Sequence, residues 1–163
     1  MSELVYHTLE PVFDRQSRVL ILGSIPSPKS REAGFYYSHP QNRFWRVMAA
    51  LLNEEVPVSP EEKRALVLRH RIALWDVLAS CQIRGADDSS IRQPVANDVA
   101  ALLKECPIRQ VFATGKTAGR LYEKYCQPAA GMPAVVLPST SPANCRVSLE
   151  ELIQAYAVIL RWL

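Results

Sequence analysis

Between residues 35 and 45 the chain reads FYYSHPQNRFW, a mixture too polar for a core strand and too aromatic for an ordinary loop. Aromatic faces stack on flat rings and side-chain amides make directional hydrogen bonds, so this segment could form one wall of a slot for a planar heterocycle. A nucleobase turned out of a duplex is a heterocycle that needs such a slot. A structural reading competes. Asn42 stands directly before an apolar-periodic helix, where asparagine is a favoured N-cap, and Tyr36 and Tyr37 could be core aromatics.

Two other segments carry unusual chemistry. LPSTSPANCR, residues 137–146, sets hydroxyls and backbone donors ahead of Arg146 near a helix start, an arrangement able to grip a phosphate backbone. By composition alone, turn chemistry explains it as well. GKTAG, residues 115–119, has the lysine of a nucleotide-binding loop but not its preceding glycine, since Gln110 stands at that position. Lys116 is therefore a lone phosphate candidate at a helix start, where lysine is more often solvated. Cys81, Cys106, Cys126 and Cys145 are widely spaced with no C-x-x-C pair, which argues against a structural zinc or an iron–sulfur cluster.

The elements that must position these residues follow from periodicity. RVLILG (18–23), RQVFATG (109–115) and PAVVLP (133–138) are compact apolar runs without alternation, the pattern of parallel strands buried on both faces; RIALWDVL (71–78) is a weaker fourth. Helices fall between them. One carries Phe44, Val47, Met48, Leu51 and Leu52, a second opens at the Ser59–Glu62 capping box, and Asn97 is placed to cap a third. GKTAGRLYEKY gives a fourth. The last has a Ser148–Glu151 capping box with Val147 and Leu152 as a hydrophobic staple. Strands alternating with helices predict a three-layer α/β/α domain with a central, mainly parallel four-stranded sheet. In such sheets function gathers at the carboxyl ends of the strands, which is where the three unusual segments lie.

Bulk properties bound the reading. A chain of 163 residues, 48% hydrophobic, is expected to form a single domain spanning 1–163. Its net charge of +3 permits a polyanionic partner without demanding one. No apolar run is long enough to span a bilayer, and the mixed, acidic start is unlike a signal peptide, so no membrane partner and an intracellular location are expected.

The strings GSIPSPKSREAGFYYSHPQNRFWRV and LPSTSPANCRVSLEELIQAY resemble the uracil-DNA glycosylase superfamily, and within it most closely the hypoxanthine-DNA (deoxyinosine) glycosylases, over roughly Val19 to Tyr156. The resemblance implies a monofunctional enzyme that flips a deaminated base out of DNA and hydrolyses its N-glycosidic bond, as a monomer and without a cofactor or metal. Where the mismatch-specific relatives carry a water-positioning asparagine, in G-x-N-P, this chain has GSIP, so Ile25 cannot do that work. The hypoxanthine group uses the asparagine of its H-P-x-N-x-F-W segment, which falls on Asn42. Tyr37 matches the aromatic on which the base stacks. The rest of the implied base pocket is Gly23, Ser24, Ile25 and Pro26 with Phe35, Tyr36, His39 and Gln41. DNA contacts are expected from Ser27, Ser30, Lys116, Ser139, Thr140, Ser141, Asn144 and Arg146. Leu137 stands where other groups of the superfamily open their second motif with histidine or asparagine, which weighs against uracil.

Asn42 does not titrate in the useful range, so its contribution would be positioning and hydrogen bonding rather than proton abstraction. No lysine occupies a position the family uses as a Schiff-base nucleophile; Lys29 is the nearest. Three alternatives stay open: a uracil or mismatch glycosylase, a non-catalytic nucleic-acid-binding protein on the same fold, and an α/β enzyme acting on a small phosphorylated metabolite.

Overall fold

The structure, a computed structural model, describes residues 2–163. The chain begins with strand β1 (Glu3–Tyr6) and β2 (Val19–Gly23), then helices α1 (Pro28–Ala33), α2 (Phe44–Leu52) and α3 (Pro60–Arg69). Strands β3 (Ile72–Asp76), β4 (Leu78–Arg84) and β5 (Asp87–Ala96) follow, then α4 (Val99–Glu105) and β6 (Gln110–Thr114). Helices α5 (Lys116–Tyr125) and α6 (Gln127–Ala130), strand β7 (Ala134–Leu137), α7 (Leu149–Tyr156) and a 3-10 turn (Ala157–Trp162) complete it.

The four strands anticipated from apolar runs form the central sheet, in the order β3-β2-β6-β7 and parallel throughout. Every residue of β2 is buried. Val19 and Ile21 join Phe44, Val47, Met48, Leu152 and Tyr156 on one face, while Leu20 and Leu22 join Val99, Leu102 and Tyr122 on the other. Two cores on opposite faces of one strand explain why its sequence does not alternate. The domain is thus a three-layer α/β/α sandwich.

Local signals set the helix starts. Ser59 with Glu62, and Ser148 with Glu151, form reciprocal capping boxes. One cap differs from expectation. Asp98, not Asn97, caps α4 by accepting from Ala101 N, while Asn97 Nδ2 donates to the carbonyls of Asp76 and Leu78 at 2.9 and 3.1 Å. Asn97 thereby clamps the turn between β3 and β4.

A second, antiparallel sheet, β1-β4-β5, has no counterpart in the sequence expectations. Its longest strand, DDSSIRQPVA, is mostly exposed and polar, and the β4–β5 register shifts three times, so neither a continuous apolar run nor strict alternation marks it. Val77 N donates to Gly23 O at 2.8 Å and Leu78 N to Ser24 O at 3.0 Å. These bonds seat the start of β4 on the loop that leaves β2, and the hairpin tip returns to the carboxyl end of the central sheet.

Candidate active site

A cavity of about 260 Å³ opens at the carboxyl ends of β2, β3 and β6. The loop after β2 forms one side with Gly23, Ser24, Ile25, Pro26 and Ser27, continued by Tyr37, His39 and Asn42; Asp76 and Thr114 come from the ends of β3 and β6. Ser139 to Ala143 form another side, and the β4–β5 hairpin closes the wall with Ile83, Gly85, Ala86 and Asp88.

Tyr37 is built into that wall under constraint. Its φ of 53° lies in the left-handed region, sparsely occupied by non-glycine residues and common at functional positions. Phe44 stacks against one ring face at a centroid distance of 3.9 Å and an interplanar angle of 13°. The part of the ring that Phe44 leaves uncovered lines the cavity. Its hydroxyl lies 3.3 Å from Thr114 Oγ1, which in turn lies 3.3 Å from Leu22 O. The two hydroxyls can exchange donor and acceptor roles, and when Thr114 donates to Leu22 O, Tyr37 donates to Thr114. Burial, then the charge of Asp76, hold the phenol's pKa well above the ordinary tyrosine value, so Tyr37 stays neutral.

Asn42 performs the capping task its position suggested: Oδ1 accepts from Phe44 N at 2.9 Å. Asn42 lines the cavity, and its amide nitrogen has no hydrogen-bond partner among the described residues. What Asn42 offers the cavity is thus first a donor. The bond to Phe44 also fixes the amide orientation, because only the oxygen can accept from a backbone N–H.

Two carboxylates, both missed from sequence, reach the cavity. Asp76 is 3% exposed and Oδ2 lies 2.9 Å from His7 Nε2. Its Oδ1 lies where a Cβ on Gly23 would approach to 2.5 Å, so a glycine is needed for the loop to pass this close. Asp88 enters from the hairpin and accepts from Ser24 Oγ at 3.0 Å. Desolvation raises the Asp88 pKa, the Ser24 hydrogen bond opposes that, and the charges of Asp76 and Asp87 add to it. A single Asp in a polar hairpin gives no spacing signal, and His7 directly follows β1, far in sequence from Asp76, so no motif could have found either pair.

The two motif loops are joined by Arg43. Its backbone N donates to Thr140 O at 3.1 Å, Nη2 donates to Asn144 O at 2.9 Å, and Nη1 donates to Val147 O.

Other expected site residues divide. Ser24, Ile25, Pro26, Ser27, His39 and Ser141 line the cavity with Tyr37 and Asn42. His39 Nδ1 accepts from Gln41 N at 3.1 Å, which leaves Nε2 as the ring's protonated nitrogen when neutral. Several expectations are corrected. Phe35 is buried against Tyr36 and Trp45 rather than in the cavity lining. Gln41 is exposed and outside the lining. Tyr36 touches the cavity, but its side chain is a core strut whose hydroxyl donates to Glu10 O at 2.8 Å. Ser30 and Thr140 line the cavity but are 3% and 1% exposed, and Ser30 Oγ accepts from Ser27 Oγ and Ser38 N. Asn144 Nδ2 holds its own loop by donating to Ser139 O at 2.9 Å. Lys116 lies in an adjoining hollow with Thr117, Ser139 and Asp87, and Arg146 is exposed outside both cavities. Among the described residues, no group of three or more His, Cys, Asp or Glu side chains is placed to hold a metal ion.

Comparison with known proteins agrees with this architecture. The sequence profile of the uracil DNA glycosylase superfamily matches residues 10–160. A protein of Methanosarcina acetivorans named hypoxanthine DNA glycosylase is 37% identical over 139 residues, covering 84% of this chain and 87% of the relative. One of the same name from Methanosarcina barkeri is 33% identical over 138 residues, covering 83% and 86%. The solution NMR structure of a Methanosarcina acetivorans protein, provisionally named a uracil DNA glycosylase, superposes with a TM-score of 0.80 at 31% identity, covering 97% of this chain and 99% of that one. A profile running nearly end to end, with the same parallel sheet beneath it, makes this chain a member of the uracil DNA glycosylase superfamily.

Proposed function

We propose that this protein is a monofunctional DNA glycosylase that flips hypoxanthine out of deoxyinosine-containing DNA and hydrolyses its N-glycosidic bond, acting as a monomer inside the cell. The observation that carries the reading is the cavity wall formed by Tyr37, stacked on Phe44, next to the amide of Asn42. A volume of about 260 Å³ lies just below the ~300 Å³ at which ordinary small-molecule pockets begin, a size for one planar ring system rather than a whole nucleotide. The names of the two Methanosarcina relatives support hypoxanthine as that ring.

The end of the cavity formed by Asp76 and the Tyr37 hydroxyl is rich in acceptors. Hypoxanthine presents a donor at N1 and an acceptor at O6, and adenine reverses the pair, so an acceptor set against N1 with the Asn42 amide donor set against O6 matches hypoxanthine and mismatches adenine. Setting acceptor against acceptor in a buried site costs about 1–3 kcal/mol, enough for roughly 5- to 150-fold discrimination. Asn42, whose amide nitrogen has no partner among the described residues, orients base or water through hydrogen bonds, while the loop from Ser139 to Arg146 and Lys116 face the DNA backbone.

Heat-and-alkali cleavage of end-labelled duplexes carrying one deoxyinosine, one uracil or only normal bases tests the proposal. Alkali-dependent cleavage at deoxyinosine alone is expected. Cleavage at uracil in preference to deoxyinosine would reassign the substrate, and lesion-dependent binding without cleavage would make the protein a binder. No lesion dependence of any kind would remove the nucleic-acid reading.

A further inference from the structure

Hydrolysis requires a group to accept a proton from the attacking water, and the residues matched to the family's motifs do not supply one. Ile25 is apolar, Asn42 does not titrate usefully and has committed Oδ1 to Phe44 N, and Tyr37 is a neutral phenol hydrogen-bonded to Thr114. The two carboxylates of the cavity are therefore the candidates, and their depths differ. Asp76 is 3% exposed, bonded to His7 and placed at the ends of the central strands. Asp88 belongs to an exposed residue at the rim and is fixed by Ser24, the neighbour of Ile25. A base inserted edge first leaves its sugar at the mouth, so C1′ and the attacking water meet the rim carboxylate rather than the buried one.

We propose that Asp88, delivered by the β4–β5 hairpin and oriented by the Ser24 hydroxyl, is the catalytic acceptor that positions and deprotonates the water attacking C1′, taking the place that Ile25 leaves without a polar group. This inference rests on the glycosylase reading above. The C1′–N bond breaks and its electron pair departs with the base; the water oxygen bonds to C1′ and passes a proton to the Asp88 carboxylate; the base takes a proton from solvent and Asp88 returns its own. Before the water adds, the carboxylate's negative charge also faces the positive charge building on the sugar.

The hairpin is braced for such a role. Gly85 makes the tight turn with φ 56°, Arg84 N donates to Ser90 Oγ at 2.8 Å, Ser90 Oγ donates to Asp87 O at 2.6 Å, and Asp87 Oδ1 accepts from both Ser89 N and Ser89 Oγ. Asp87 is thus occupied locally, and Asp88 is the carboxylate of the hairpin that lines the cavity. The titratable and charged groups around it are Asp87 on its own hairpin, Asp76 with His7, His39 and Tyr37 of the facing loop, and Lys116 in the adjoining hollow. Arg31 of α1 and Asp88 act with opposite sign on Cys81. Although the residue stands at the rim, its carboxylate is partly desolvated, and this with like charge from Asp76 and Asp87 raises the Asp88 pKa, which makes it a better base than a free aspartate.

The test is single-turnover release of hypoxanthine from a deoxyinosine duplex across pH, with Asp88→Asn beside wild type, and DNA affinity measured by fluorescence anisotropy. The ionised form is the active one, so the wild-type rate is expected to fall about tenfold per pH unit as pH drops below the Asp88 pKa. Asp88→Asn is expected to lose roughly 10²–10⁴ in rate at neutral pH and to lose the acid limb. Its DNA affinity should be unchanged or tighter, because a negative charge at the rim has gone; a merely structural aspartate would lose binding with rate. Asp88→Asn releasing base at the wild-type rate with the wild-type pH profile would overturn this role while leaving the glycosylase reading intact. Loss of rate with an unaltered acid limb would overturn it equally and move the role to Asp76. A wild type that releases no base from any lesion would overturn both readings.

Discussion

Replacing Gly23 by alanine tests the cavity wall most directly. A Cβ at this position would lie 2.5 Å from Asp76 Oδ1, 3.4 Å from the Tyr37 hydroxyl and 3.6 Å from Thr114 Oγ1. The first distance is impossible without movement. Asp76 is buried and held by His7 Nε2 at 2.9 Å, so it is not a side chain that can swing into solvent. If it stays, the overpacking strain is about 1–3 kcal/mol. If it turns away, His7 loses its partner in a site where both side chains are about 5% exposed or less, and the unsatisfied group costs about 1–3 kcal/mol. Either route lowers the melting temperature by about 2–12 °C, at about 2–4 °C per kcal/mol for a chain of this size. Gly119 is the internal control. A Cβ there would meet Val136 Cγ2 at 2.6 Å, a distance as short, but Val136 is 49% exposed on edge strand β7 and can change rotamer. The helix gains about 0.5–1 kcal/mol from Gly→Ala, so Gly119→Ala should melt within about 3 °C of wild type. Differential scanning calorimetry of the two variants, with single-turnover base release on the same preparations, decides the matter. If Gly23→Ala loses no more stability than Gly119→Ala, the rigidity assigned to Asp76 is wrong.

Asn42→Ala should abolish base release while DNA affinity stays within a few-fold, and lower stability by about 1 kcal/mol through loss of the bond to Phe44 N; equal losses of binding and release would leave Asn42 only the capping role. Arg43→Lys cannot reproduce a fork that reaches two carbonyls, so DNA affinity and release should both fall, as equilibrium binding and single-turnover rates would report. Glu54 has its pKa lowered chiefly by hydrogen bonds from His70 and Arg69. Its contribution to stability is present above the unfolded carboxyl value and lost as pH falls through the folded one, so urea titrations of Glu54→Gln should show a shallower acid decline than wild type. Thiol titration at neutral pH should label Cys145 quickly, because Cys81, Cys106 and Cys126 are buried and burial pushes the last two up to about 11.

The central sheet was legible because β2, β3 and β6 are buried on both faces, which forces apolar runs, and the edge strand β7 carries a similar run between two prolines although Val135 and Val136 are exposed. The helix starts were legible because capping chemistry is local: Ser59 with Glu62 and Ser148 with Glu151 interact within one turn. The antiparallel sheet was not, since β5 lies half in solvent and its shifting register erases the alternation that marks a strand. The site divides along the same line. Tyr37 and Asn42 stand in one aromatic string, so their proximity could be read. Asp76 and His7 are 69 residues apart and Ser24 and Asp88 are 64 apart, and only the tertiary fold brings them together. Phe35, Ser30 and Asn144 brace their own loops here, and aromatic, hydroxyl and amide side chains that brace a loop have the same composition as those that bind through it.

The Arg43 guanidinium spans 101 residues of sequence to Asn144 and 104 to Val147. Its consequence lies in the order of assembly. Helices and capping boxes can form as soon as their residues exist, but contacts of such separation close late. During synthesis on the ribosome the cavity wall at Tyr37 is therefore made long before its opposite side, and stays open until the segment through Val147 has emerged. Binding competence is gained at the end, so a nascent or truncated chain that lacks this segment, and with it α7, should keep its earlier helices yet be unable to hold a base.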